Sequence, residues 1–378
     1  MNQVEAAMKA ARHTMHSEYL EWVKTRPQTS FSLATSGVAD YPLAELIAAT
    51  GGALRLEDLE LSGPSFYGYE PLEQALAAKC RVAPECIVAA TGTSMANHLM
   101  MAATLEPGDE VLIEQPAYDP LPAVARYYGA TVKRFPRPFE DGFEIDPRAI
   151  ERALTPRTRL IALTNLHNPS GVLTRQDVLR EIGEMAKSVG AHVLVDEVYL
   201  EMDYARRTPS ASGLGGQFIV TGSLTKAYGL SGLRCGWILA APDLTRRMWR
   251  LNDLYGVIPA HVAERLSVVA LKHLDRIAAR AHALLEKNRA LLDRFLDSRQ
   301  DLEAVRPLFG TLAFPRLARG NVDELCALLR DEFETTLPPG RFFEMPQHFR
   351  LGIGCATASL DEGLKRLGAA LDKLAPTS

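Results

Sequence analysis

From about residue 85 to 242, short apolar runs alternate with longer amphipathic stretches. The runs predict strands at Cys86–Ala90, Glu110–Glu114, Thr131–Phe135, Arg159–Thr164, His192–Asp196, Phe218–Gly222 and Gly236–Ala240, each ending near Gly, Pro, Asn or Asp. Strand and helix in turn imply an α/β fold with a mainly parallel sheet. Ligands of such open sheets lie beyond the carboxyl ends of the strands, so the polar residues just after the runs are the ones to search for chemistry. After Trp237 the pattern becomes helical, notably over Ala260–Ser298. The tail then offers a strand at Gly310–Pro315, a helix at Val322–Glu332, a strand at His348–Ile353 and a closing helix from Ser359. A large domain over 46–270 and a smaller α+β domain built from 1–45 and 271–378 are expected, packed directly because no long Gly/Ser linker separates them.

Composition narrows the class. A chain of 378 residues exceeds what one core usually absorbs, and 47% hydrophobic with 23% charged residues is the balance of a folded globular protein. The net charge of -4 argues against a nucleic-acid backbone as partner, which needs a basic surface. Charged residues interrupt Met1–Lys24, which reads as a surface helix rather than a signal peptide or membrane span. Five cysteines form no CxxC pair and no zinc-spaced cluster, as expected of reduced thiols in a cytoplasmic protein without a metal site.

The strongest chemical signal is Gly222-Ser223-Leu224-Thr225-Lys226-Ala227-Tyr228-Gly229-Leu230-Ser231-Gly232-Leu233-Arg234. Lys226 follows an apolar strand and is enclosed by small hydroxyl residues and glycines, where a ligand would lie. Desolvation and a nearby cation, for which Arg234 is the candidate, would lower its pKa and free the amine to form a Schiff base. An isolated Ser-x-x-Lys would more simply be a surface turn; the flanking pattern reverses that. Other residues at strand ends are Thr91-Gly92-Thr93-Ser94 before a helix, suited to an anion or to capping. Asp196 closes the run Ala191–Val195, and Asn168-Pro169-Ser170-Gly171 is a turn.

Together these segments resemble the fold-type I, class I/II pyridoxal 5'-phosphate (PLP)-dependent aminotransferases, whose signature is Ser-x-[Ser/Thr]-Lys-x-x-x-x-x-G-x-R. The resemblance runs from about Gly68 to the C-terminus and implies a fold-type I transferase with the cofactor in the larger domain. It further implies that Lys226 holds the cofactor and that Asp196 faces its pyridine nitrogen. Tyr199 and Asn168 would bond its phenolic oxygen, and Tyr118 would stack on its ring. Gly92, Thr93, Ser94, Ser223 and Arg234 would hold its phosphate. Arg350, in Phe349-Arg350-Leu351-Gly352-Ile353, would grip the substrate α-carboxylate, with Gly37 and Asn168 also at the substrate. Tyr67, in Phe66-Tyr67-Gly68-Tyr69, would reach the phosphate of a neighbouring subunit, implying a homodimer with shared active sites. His167 is expected to pack structurally.

The resemblance implies transamination between an amino acid and a 2-oxo acid, with catalytic Lys226, Asp196 and Tyr199. A lyase, or a cyclase acting on an arginine-like amino acid, would share Lys226, Asp196 and Arg350. Segments at Ser36-Gly37-Val38, His167-Asn168-Pro169-Ser170-Gly171 and Gly352-Ile353-Gly354-Cys355 look similar to capreomycidine synthase-like members. Regulators built on this fold carry an added DNA-binding domain, and the residues before Phe31 are too few for one, since domains seldom fall below ~50 residues. Dicarboxylate-specific relatives place a second arginine at a position corresponding to about Asn252; Arg250, the nearest, would point elsewhere on a helix. A neutral or apolar substrate side chain is therefore expected, unless an arginine from elsewhere substitutes.

Overall fold

Alternation within the apolar runs decides how the sheet is covered. Val111, Ile113, Leu160, Ala162, Leu194, Ile219 and Ile238 pack with Leu99, Met100 and Met248 on one side. Their neighbours Leu112, Ile161, Leu163, Val193, Val195, Val220 and Leu239 pack with Leu179, Ile182 and Ala186 on the other. Successive residues of a strand point to opposite faces, so a strand buried on both must be apolar throughout. Each buried Val, Leu or Ile contributes about 1.5–3 kcal/mol.

A computed structural model of the protein describes residues 15–64 and 67–374. Its main sheet has strands β1 (Ile87–Thr91), β2 (Glu110–Gln115), β3 (Thr131–Pro136), β4 (Thr158–Thr164), β5 (His192–Asp196), β6 (Phe218–Ser223) and β7 (Cys235–Leu239), in the order β1-β7-β6-β5-β4-β2-β3. Strand β7 pairs antiparallel with both β1 and β6, while the remaining pairs are parallel. The carboxyl ends of β1, β4, β5 and β6 therefore share one edge with the amino end of β7. Helices flank both faces, giving the fold-type I architecture. The expected strands lie within about one residue of the observed ones.

Outside this sheet the structure is less regular than the pattern suggested. The stretch Ala260–Ser298 is two helices, His261–Lys272 and Leu274–Asp297, broken at His273 with φ -116 and ψ 19. The expected strands Gly310–Pro315 and His348–Ile353 shrink to Leu312–Ala313 and Leu351–Gly352, which pair antiparallel. A third segment crosses them: Gly352 N–H donates to Leu33 O at 2.8 Å, and a Cβ on Gly352 would lie 1.8 Å from Thr35 O. Phe31–Ser32 also pairs with Thr335–Thr336, so the early chain is tied into the C-terminal part. The helix Val322–Phe333 is capped by Asn321, whose side chain accepts from the N–H groups of Asp323 and Glu324.

Residues 1–14, the larger part of the expected opening helix, and Phe66 lie outside the described residues. Helix α1 (Glu18–Thr25) is not simply a surface helix: Tyr19 is buried and packs against Phe342 and Phe343. Among the described residues, no helix is long and apolar enough to cross a membrane.

Candidate active site

The shared sheet edge opens into a cavity of about 380 Å³. It is lined by Thr93, Ser94, Tyr118, Asn168, Asp196, Tyr199, Ser223, Lys226, Arg234 and Arg350, all named by the sequence, together with Tyr19, Leu20, Val23, Arg26, Ser36 and Thr225. Three other expected residues stand apart from this lining. Gly92 lies behind Arg234, and Gly37 lies against Lys226, where a Cβ would sit 3.2 Å from the lysine Cα and Cδ. Tyr67 is exposed, its ring edge-on to Trp249 at 6.4 Å.

Strand β6 ends in Ser223, and a single turn of helix, Leu224–Ala227, follows; the Ser223 hydroxyl accepts from Thr225 N–H at its start. Lys226 is thereby turned back over the sheet edge. Its Nζ donates to Ser36 Oγ at 2.9 Å, and its carbonyl accepts from Val38 N–H at 2.9 Å. Burial, then the charges of Arg350 and Arg234, lower its pKa to about 8. A reactive amine near neutrality results.

Asp196 ends β5 and is buried. Its Oδ2 accepts from Asn97 Nδ2 at 2.7 Å, Asn97 Oδ1 in turn accepts from Thr221 Oγ1 at 2.7 Å, and Val198 N–H donates to Oδ1 at 3.1 Å. Burial pushes this carboxyl up to about 6, against the lowering effect of those bonds. An acidic group so held suits a cationic ring nitrogen. Asn97 escaped the sequence reading because it looks like any polar residue on a helix. Tyr199, three residues on, is buried, and burial raises its hydroxyl to about 12.

An anion subsite forms where β1 runs into helix α2 (Gly92–Thr104). The first N–H groups of a helix have no intrahelical acceptor, and Thr91 provides no side-chain cap. Thr93 Oγ1 is buried without a hydrogen-bond partner. Arg234 completes the subsite from the opposite side, making only long contacts to Ser231 O and Thr91 O, at 3.5 and 3.4 Å. Gly92 has φ +75, and a Cβ there would lie 2.3 Å from Arg234 Nη2; a Cβ on Gly236 would lie 2.6 Å from Gly92 C. Both glycines are needed for β7 to bring the arginine this close to the helix start.

Arg350 is buried, yet among the described residues no carboxylate pairs with it. Its Nη1 donates to Asn168 Oδ1 at 3.1 Å, its Nη2 donates to Tyr19 Oη and to Ala34 O, and its Nε has no partner. An internal ion pair, the simpler fate of a buried arginine, is thus not its arrangement here, and the group is free to take an anion. The Asn168 turn is held from below: its N–H donates to Thr164 Oγ1, which donates to the buried Glu114, itself paired with Arg137 at 2.7 Å. His167 packs structurally, its ring nitrogens at Ser170 Oγ and Pro116 O, and burial holds its pKa well below the usual value.

Comparison with known proteins gives the family. The family model described as aminotransferase class I and II matches residues 38–367. The capreomycidine synthase of Streptomyces vinaceus is 31% identical over 361 residues, covering 93% of this chain and 92% of that protein. A PLP-dependent aminotransferase from Streptococcus suis 89-1591 superposes with a TM-score of 0.91 at 26% identity, covering 97% of this chain and all of that one. A PLP-dependent cyclase superposes with a TM-score of 0.85 at 26% identity, over 94% of this chain and 97% of the other.

Proposed function

Because this chain belongs to the aminotransferase class I and II family and is a PLP-dependent enzyme, we propose that it moves an amino group between an amino acid and a 2-oxo acid. The observation carrying this reading is the unpaired Arg350 sharing one cavity with the Lys226 amine and the Asp196 carboxyl. Those groups suit, respectively, a carboxylate, an amine exchange and a ring nitrogen.

The cavity fits the cofactor on its own chemistry. The orphaned Thr93 hydroxyl, Arg234 and the free N–H groups behind Gly92 form the kind of subsite a phosphate requires. In this reading Gly92, Thr93, Ser94, Ser223 and Arg234 bind the phosphate, Tyr118 covers the ring, and Tyr199 and Asn168 donate to its phenolic oxygen. PLP supplies an aldehyde for amine exchange and a protonated ring that draws electrons from the substrate Cα. Arg350 orients the substrate by its α-carboxylate, with Asn168 and Gly37 beside it. Lys226 Nζ takes the Cα proton, a role suited to an amine near neutrality. Asp196 keeps the ring nitrogen protonated.

The similarity to capreomycidine synthase and to a PLP-dependent cyclase favours a second reading, elimination or cyclisation of an amino acid with the same three groups. A panel of amino acids, each with and without a 2-oxo acid, separates the two. Aminotransfer requires one acceptor per donor and yields a new amino acid in equal amount. Aminotransfer without an acceptor stops after one donor per site, so continued turnover of a donor with no acceptor present would replace it with the second reading.

A further inference from the structure

We infer that Arg26 is a specificity determinant, binding a second carboxylate at the far end of the substrate. This rests on the proposal that the cavity receives an amino acid or 2-oxo acid.

Tyr19, Leu20, Val23 and Arg26 recur at helical spacing and present one face of α1 and its end to the cavity. The helix is pinned there. Tyr19 N–H donates to Asp119 Oδ2 at 3.3 Å, the Ser17 hydroxyl donates to the same oxygen, and Trp22 packs on Phe342 with ring centroids 5.3 Å apart. Arg26 closes the helix by donating its backbone N–H to Trp22 O, and its guanidinium carbon lies 4.8 Å from the centre of the Trp22 ring. One flat face is thus covered, which leaves the edge of the fork for a ligand. Arg26 borders both this cavity and a second one lined by Asp323 and Arg341; its Nη1 is buried without a hydrogen-bond partner, and among the described residues no carboxylate pairs with it. Burial lowers its pKa, the nearby charge of Arg350 lowers it further, and Tyr19 acts in the opposite direction.

Charge balance in the cavity points the same way. Four cationic side chains line it, Arg26, Lys226, Arg234 and Arg350, against one carboxylate, Asp196. The cofactor phosphate answers Arg234, the substrate α-carboxylate answers Arg350, and Lys226 exchanges its amine with the substrate. Arg26 is left over, half-buried and repelled by the nearby charge of Arg350. A distal carboxylate offsets that repulsion and supplies the planar acceptor the guanidinium matches. The missing arginine near Asn252 concerns the end of a different helix, Pro242–Asn252, and Arg26 reaches the cavity from α1.

The test compares glutarate with pentanoate, acids of equal length that differ by one carboxylate and carry no amino group. Titration calorimetry on the holoenzyme should show glutarate bound at least ~10-fold more tightly, the scale of one charge-assisted contact. Arg26→Gln should bring the two within ~2-fold while leaving pentanoate nearly unchanged, and Arg26→Lys should retain part of the difference. A wild-type ratio near one overturns the proposal whether or not either variant folds. Equal weakening of both acids by Arg26→Gln also overturns it. Neither acid can react, so this outcome is independent of whether the enzyme proves to be an aminotransferase.

Discussion

At the scale of single residues, Lys226 and Asp196 are both displaced from their ordinary titration, but in directions that store free energy differently. The lysine titrates near 8 in the folded chain against about 10.5 when exposed. Between those values the unfolded chain binds more protons than the folded one, so stability rises with pH there; the contribution is present above about 10.5 and lost as pH falls through about 8. In cofactor-free protein, Lys226→Met should flatten that rise and add on the order of 3 kcal/mol at pH 7, since each pKa unit is worth ~1.4 kcal/mol. Denaturant titrations of both proteins across pH 7 to 10.5 measure this, and parallel curves would contradict the buried-amine account. Asp196 has the opposite sign: raised to about 6, its contribution is present below about 4 and fades as pH rises through 6. The native fold therefore retains a carboxylate at some cost, which is understandable if a cationic ring nitrogen later pairs with it. Asp196→Asn should still bind cofactor but lose at least ~100-fold in kcat, the scale of removing a group aimed at developing charge. Absorbance reports the first property and steady-state rates the second; a near-normal kcat would take Asp196 out of the chemistry.

Among the elements, the junction of β1, α2 and β7 is the most constrained. Gly92→Ala must both adopt φ +75 and put its Cβ 2.3 Å from Arg234 Nη2, so the arginine must swing away. Cofactor affinity should fall ~10-fold or more, the cost of one charge-assisted bidentate contact, while kcat at saturating cofactor changes less than ~3-fold. Equilibrium dialysis and rates at graded cofactor concentration separate the two; a loss of kcat alone would show that Gly92 serves something other than the phosphate. This junction was readable in the sequence because glycines, hydroxyls and arginine occur at fixed offsets from apolar runs. The central strands were readable for a related reason: burial on both faces leaves them few polar positions. The break at His273 carries no Pro or Gly to announce it, and it is tertiary packing that ends one helix and begins the next. The short pairs around Leu312 and Leu351 owe their length to a third segment crossing at Gly352, a contact more than 300 residues away along the chain. Tyr19 and Arg26 were hidden likewise, since an amphipathic segment does not say what its apolar face will cover.

For the molecule as a whole, the open question is what covers the apolar surface away from the cavity. Leu61 and Leu254 are 89% and 78% exposed, and Tyr67, Tyr255, Val257 and Ile258 are exposed as well. Gly63 lies against the His261 ring and Tyr67 against Trp249, so the segments bearing these side chains run side by side rather than being scattered. Exposed apolar side chains on neighbouring segments suit a partner surface, and a second copy is the natural one if Tyr67 is to reach a phosphate. Tyr67 is exposed and absent from the cavity lining of its own chain, so the role expected of it calls for a second copy. Hybrid dimers test this. Lys226→Ala abolishes turnover at its own site, whereas Tyr67→Ala should weaken cofactor binding at the site of the other subunit and leave Lys226 intact. A mixed dimer then has one site containing both wild-type groups, because the isologous contact exchanges the same surface in both directions. At limiting cofactor, mixing the two variants after dissociation and reassociation should restore activity well above either alone, towards a quarter of the wild-type rate for random pairing of equal amounts. If Tyr67 instead served its own subunit, every site in the mixture would lack one group or the other, and activity would not rise above that of the Tyr67 variant alone.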